Sequence, residues 1–366
     1  MTHKFKNSSR KRTGKSFSII IFFLCAIVFY MAYNFRDISE NFDLPRYYTL
    51  MDHFFNGQES LWDVIAFMYA YGNDFIYYVF LFLFNNTPLG REFVPGLFTA
   101  MYYFLLMKSF AKEISYSSEN LLLLLGLFAF PNVMFVITIS RTTAALVFFF
   151  IGVLFHSNDR KIFSILFFII AVMTHFSSLM YVGAFFLSVL LYKTGLKSKT
   201  EIINILCVVL PPVMYFLGIV LLNSVSNSFF LVVEETKYDR YVGTTSGADY
   251  SNFSWLYKLQ FYLTLFVAYI LLIINRHSTS FSRVLLMICL SITFGLLSAN
   301  QNLFNRWLIL LPLLYSQQFV EVIIVNKESC PYKQNKGIEA IGVIGSLMVL
   351  LVFMLMMYSS HSYLGL

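Results

Sequence analysis

Arg141 stands in Ile139-Ser140-Arg141-Thr142-Thr143-Ala144-Ala145, between two apolar runs with little loop around it. His175 follows in Thr174-His175-Phe176-Ser177-Ser178, between two short apolar runs, and Arg306 opens the run Trp307 to Tyr315. Two further segments mix acids, Arg and Tyr: Phe42-Asp43-Leu44-Pro45-Arg46-Tyr47-Tyr48 and Tyr238-Asp239-Arg240-Tyr241. A guanidinium is a planar fork that matches two phosphate oxygens at once. His and Asp can accept a proton from a hydroxyl, and aromatic faces suit sugar rings. Such a set fits a lipid-linked, phosphate-bearing glycan.

Each residue also has a plainer reading. An Arg at a helix end can snorkel to headgroups, although Arg141 is flanked by small residues that permit close helix packing. A lone His between helices often serves as a hydrogen-bonded structural group, and acids in loops are ordinarily solvated. Asp74 fits a helix cap, while Pro131 and the Pro211-Pro212 pair fit helix kinks. There is no Gly-rich phosphate loop, no H-E-x-x-H, no Asp-x-Asp and no Gly-x-Ser-x-Gly. Nucleotide-dependent and zinc chemistry are therefore not expected, and no metal or cofactor is.

The elements that must position these residues follow from composition. The chain has 366 residues, 58% of them hydrophobic and 12% charged, where a soluble domain has about 45–50% and about 25%. That excludes a water-soluble enzyme, a nucleic-acid binder and a disordered chain. The expected fold is an all-α polytopic membrane protein, one integral domain over 1–366. At roughly 20 residues per crossing it has about eleven transmembrane helices, in a range of about ten to twelve. The apolar runs are 17–33, 93–108, 119–138, 142–156, 161–174, 178–192, 202–223, 256–275, 284–298, 304–325 and 338–358. The segment 61–84 is split by Asn73-Asp74 into halves too short to cross, so it reads as a re-entrant or interfacial pair of helices. Cys25, Cys207 and Cys289 lie in apolar runs and Cys330 in a short basic loop, with neither metal nor disulfide spacing.

Charge sets the expected orientation. The basic N-terminus, 1–16, carries six Lys/Arg and no acid. Alternating the spans from a cytoplasmic N-terminus puts 18 of the 26 Lys/Arg in inner loops, Arg283 among them, and 12 of the 19 acids outside. This is a positive-inside signal, not a polyanion site. Two long outer loops result, 35–92 and 224–255. Long loops in compact proteins are commonly functional, so chemistry is expected on the outer face.

The block Ile139–Tyr181 resembles the EpsG family of bacterial exopolysaccharide and O-antigen polymerases, a Wzy-type group. Members carry an Arg that opens one helix and, about thirty-four residues later, a His followed by small hydroxylated residues; Arg141 and His175 stand 34 apart. Asp43 and Tyr47 fit an Asp with a Tyr four positions on, and Arg306 fits a late Arg at a helix mouth. Tyr238 to Tyr241 resembles a Tyr-ending stretch in the large loop. Thr142 stands where the family often has Gln, and Leu44 where it often has Tyr.

The resemblance implies a metal-independent polymerase that joins undecaprenyl-diphosphate-linked oligosaccharide repeat units on the outer face of the bacterial plasma membrane. Its partners would be that substrate, membrane lipid, a chain-length regulator and a flippase, with no nucleic acid. Carried onto this chain, Arg141 and Arg306 would hold the diphosphate, helped by Arg240, with Tyr47 and Tyr241 beside the substrate. His175 or Asp43 would be the base, or Asp43 or Asp239 if His175 contacts the diphosphate. A flippase for lipid-linked glycans, an O-antigen ligase and a polysaccharide-modifying acyltransferase are the competing readings. No internal repeat of the kind common in transporters is evident.

Overall fold

A computed structural model describes residues 14–35, 43–54, 60–72, 75–113, 117–194, 199–229, 255–275, 279–299 and 301–329, with helical stretches at 345–347, 350–351 and 353–355. All regular structure among these residues is α-helical. In chain order the helices are α1 (Gly14–Tyr33), α2 (Asp43–Phe54), α3 (Leu61–Gly72), α4 (Phe75–Asn85) and α5 (Phe93–Glu113). They continue with α6 (Ser118–Ala129), α7 (Val133–Thr138), α8 (Ser140–Ser157), α9 (Lys161–Thr174) and α10 (Ser178–Lys193). The last five are α11 (Thr200–Phe229), α12 (Trp255–Ile274), α13 (Phe281–Ala299), α14 (Gln301–Leu308) and α15 (Leu310–Ser329).

Three described segments are long and apolar enough to cross a membrane: Ser140–Ser157, Thr200–Gly218 and Phe281–Ser298. Shorter apolar helices accompany them, including Phe17–Tyr33, Phe93–Lys108 and Lys258–Ile274. α8 and α13 are mostly buried, whereas α9, α10 and α11 expose Ile162, Phe163, Phe186 and Phe216. So much exposed apolar surface belongs against lipid. α5 packs on α1, α8 and α15; α13 packs on α10, α11, α12 and α15.

Local chemistry explains the chain reversals. α8 ends in a Schellman turn: Arg160 N–H donates to Phe155 O at 2.9 Å and Asp159 N–H to His156 O at 3.1 Å. Asp159 takes the left-handed conformation there, φ 58°. The tight turn sends α9 back antiparallel along α8. α9 in turn stops at His175, whose backbone is extended at φ −156°, ψ 116°. α3 opens on a capping box, with Ser60 N–H donating to Asp63 Oδ2 at 2.8 Å and Asp63 N–H to Ser60 Oγ at 3.3 Å.

Several sequence expectations change. The run 119–138 is two helices, because Pro131 has no N–H to continue α6 and Asn132 caps α7, accepting from Phe135 N–H at 3.0 Å. Gln260 donates to Ala129 O at 3.2 Å and Phe130 O at 2.8 Å, occupying carbonyls freed at that break. The run 304–325 likewise breaks at Ile309. Pro312 cannot bond back to Leu308, and Tyr102 Oη donates to Ile309 O at 2.7 Å. Residues 43–54, expected as loop, form α2. Arg283, expected in an inner loop, is buried in the first turn of α13 and donates to Leu272 O through Nε at 3.2 Å and Nη2 at 3.0 Å. Pro211 and Pro212 both lie inside the continuous helix α11. The segment 61–84 is two short helices, α3 and α4. Most of 338–358, the loop 230–254, Asp74 and Cys330 lie outside the described residues.

Candidate functional site

The turns joining α6–α7–α8, α9–α10 and α13–α14–α15 lie at one end of the bundle. α8 is about 27 Å long and α9 about 21 Å at 1.5 Å per residue. Their antiparallel hairpin therefore returns His175 to the level of the first turns of α8, where Arg141 sits. α10 starts at this same end and packs along α8 and α13. α14 links the end of α13 to α15 there.

Arg141 is half-buried, and its position is fixed by its neighbours in sequence. Thr143 Oγ1 donates to Val136 O at 2.7 Å and Thr143 N–H to Ile139 O at 3.0 Å, locking the α7–α8 junction. Ser140 Oγ is hydrogen-bonded to Tyr77 Oη of α4. The Arg141 guanidinium lies over the Tyr47 ring, 5.0 Å from its centroid. Tyr47 meets Tyr77 and Tyr78 edge-on, each at 5.7 Å. The result is a cation on an aromatic floor, the kind of contact that strengthens as water is excluded.

α2 supplies Tyr47 to this floor and packs on Tyr77 and Tyr78. Leu44, Tyr47 and Met51 form its buried stripe, at the i, i+3, i+7 spacing of one helix face. Its outer side is held by Arg91, in the turn before α5. Arg91 pairs with the Asp52 carboxylate through both terminal nitrogens, Nη2 to Oδ2 at 3.0 Å. It also lies 4.6 Å from the Tyr48 ring centroid. Asp43 is the first residue of α2, one helical turn before Tyr47; what is described of it is its backbone.

His175 is buried, 3% exposed. Its carbonyl accepts Ser178 N–H at 2.9 Å, which starts α10 directly after the break. One turn later Tyr181 Oη donates to Arg306 O at 3.4 Å, and its ring lies 4.7 Å from that of Trp307. Arg306 is itself buried, 7% exposed. Phe149 of α8 reaches Tyr181 at 5.9 Å. Two clusters thus lie along α8: Arg141 with Tyr47, Tyr77 and Ser140 at its start, and Arg306 with Tyr181 and Trp307 nearer Phe149, one turn of α10 beyond the His175 turn.

Of the residues singled out in sequence, Arg141 and Tyr47 are in direct contact; His175 immediately precedes α10, and Arg306 meets Tyr181 in the first turn of that helix. Asp239, Arg240 and Tyr241 lie outside the described residues. Sequence reasoning missed Arg91, Tyr77, Tyr181 and Trp307. Arg91 and Asp52 carried a faint signal, as opposite charges within the one expected outer segment 35–92; Tyr77 and Tyr181 carried none among so many aromatic residues. Among the described residues no cluster of His, Cys, Asp or Glu is arranged to hold a metal ion. Cys25, Cys207 and Cys289 are free thiols.

A model of the EpsG family matches residues 15–365, nearly the whole chain. No curated protein and no solved structure matches. The chain belongs to the EpsG family, and with its apolar helices this marks a polysaccharide-related membrane protein.

Proposed function

We propose that this EpsG-family chain is a polysaccharide polymerase of the bacterial plasma membrane. It joins undecaprenyl-diphosphate-linked oligosaccharide repeat units by glycosyl transfer on the outer face. The single observation that carries this reading is the gathering of Arg141, His175 and Arg306 at one end of the bundle, beside aromatic faces. In this reading the N-terminus is cytoplasmic, about eleven helices cross, and the excess of basic loops at the opposite end keeps that end inside.

The reaction forms one bond and breaks another. A sugar hydroxyl of one lipid-linked unit attacks the anomeric carbon of the other chain. The carbon–oxygen bond to the diphosphate breaks, and the lipid diphosphate leaves with the bonding electrons. The hydroxyl proton passes to a base, His175 or Asp43. Arg141 and Arg306 offset the charge that grows on the departing diphosphate. Fixed donors in a partly water-excluded site do this without reorganising. Arg240 assists from the loop 224–255, with Tyr241; Tyr47, itself buried, holds Arg141 in place beside the substrate. A metal ion is not needed for this chemistry, since guanidinium groups supply the positive charge. If His175 instead contacts the diphosphate, Asp43 or Asp239 takes the proton.

Arg141→Ala should insert and accumulate normally yet stop chain extension, leaving single repeat units. Arg141→Lys should recover little, because an ammonium lacks the bidentate fork. Polymer of normal length from a well-expressed Arg141→Ala protein would sink the assignment.

A further inference from the structure

A groove of about 320 Å³ runs between α9 and α10, and no polar atom lines it. Buried Phe168 and Val182 form its floor; Ile165, Leu179 and Phe186 form its exposed walls. Met173 and Leu179 end it on either side of the His175 turn. On α9 it extends from Met173 back to Ile165, about 12 Å along the helix axis. One mouth therefore opens at the end of the bundle that carries the cations, and the trough descends from there along the outside of the α9–α10 hairpin.

A second observation comes from Gly183. It shares a stripe with Leu179, Val182 and Phe186, at i, i+3, i+4 and i+7 of α10. A Cβ built on Gly183 meets nothing within 4 Å. Glycine is a poor helix former, and here no neighbouring helix requires its small size. Its backbone is open to the surroundings on the face of α10 that carries the groove's Leu179, Val182 and Phe186.

We infer that this groove seats the first isoprene units of the substrate's polyprenyl tail. The identity of the head group rests on the polymerase reading above. A diphosphate held by Arg141 and Arg306 has its tail covalently attached, so the first isoprene units must lie beside that end of the bundle and within hydrocarbon. The trough meets both conditions: wholly apolar, open toward lipid, and beginning at the His175 turn. Its volume suits a single chain.

The test uses the full chain, purified into phosphatidylethanolamine–phosphatidylglycerol nanodiscs, and a polyprenyl diphosphate bearing a diazirine in its first isoprene units. Light should label peptides from 161–193. Unlabelled undecaprenyl diphosphate should compete, and extra phosphatidylglycerol should not. Gly183→Trp should fill the trough and cut labelling at least tenfold, with unchanged elution and melting; Gly183→Ala should label normally. Labelling elsewhere, equal competition by phosphatidylglycerol, or cross-links joining two copies through the trough would each overturn the inference. The two readings fail separately. A trough that labels as expected, in a protein whose loss leaves the surface glycan ladder intact, keeps the groove and removes the polymerase. A ladder lost on deletion, with labelling away from α9 and α10, does the reverse.

Discussion

Replacing Arg91 with alanine should free α2 from its place beneath Arg141 about five- to tenfold more often. Arg91 makes two kinds of contact with α2. Its pairing with Asp52 is partly wet, Arg91 being 19% and Asp52 62% exposed. Such a pair contributes only about 0.5 kcal/mol. Its guanidinium over Tyr48, 4.6 Å from the ring centroid, adds about 0.5–1 kcal/mol. The sum, about 1–1.5 kcal/mol, is roughly a five- to tenfold change in the open population, since 1.4 kcal/mol is tenfold. Amide hydrogen exchange of residues 43–54, in nanodiscs, reads this population directly. Asp52→Asn should remove the ion pair and keep the ring contact, raising exchange only about twofold by the same estimate. High salt should mimic Asp52→Asn in the wild type and leave Arg91→Ala unchanged. Exchange of α2 in Arg91→Ala within error of wild type would refute the latch. Equal exchange in Asp52→Asn and Arg91→Ala would refute the part assigned to Tyr48.

Other consequences follow from single contacts. Tyr47→Phe keeps the ring beneath Arg141 and should support near-normal polymer, whereas Tyr47→Leu should lower the extension rate several-fold, for a cation–π contact of about 0.5–2 kcal/mol. Arg283→Met removes the two donors to the Leu272 carbonyl and should cost about 2–3 kcal/mol, seen as a lower melting temperature in detergent with no specific loss of substrate binding. Gly218→Ala would place a Cβ 2.2 Å from the Gly295 carbonyl oxygen. Forcing α11 from α13 in this way should cost about 1–3 kcal/mol and reduce the monodisperse yield, whereas Gly183→Ala should not.

The helices were legible where apolar length decided them. α9 and α10 separate at Thr174–Ser177 as the polar break predicts, and 61–84 forms two helices, one ending at Gly72 and the next starting at Phe75. The breaks in 119–138 and 304–325 were not legible as breaks. Each rests on a proline whose effect depends on a distant partner, Gln260 at Phe130 and Tyr102 at Ile309. A stretch read only for hydropathy shows neither partner. α2 could have been found from Leu44, Tyr47 and Met51, whose spacing is helical, but its average polarity hid it. Arg283 was misplaced because a charge beside a loop ordinarily faces water. Here it caps the carbonyl end of α12, where a helix leaves acceptors unpaired. In the site, Arg141, His175 and Arg306 stood out because charges are rare among apolar runs. Tyr47 was marked only by its spacing from Asp43, and Tyr77 and Tyr181 were not marked at all, because Tyr is common throughout this chain.

The central claim is chain extension, and the surface-glycan size ladder of a strain lacking this gene tests it most directly. Core carrying a single repeat unit should persist while the ladder above it disappears, and the wild-type gene, but not Arg141→Ala, should restore it. An unaltered ladder would contradict the account outright. A surface with no repeat unit at all would contradict it in favour of a flippase or ligase.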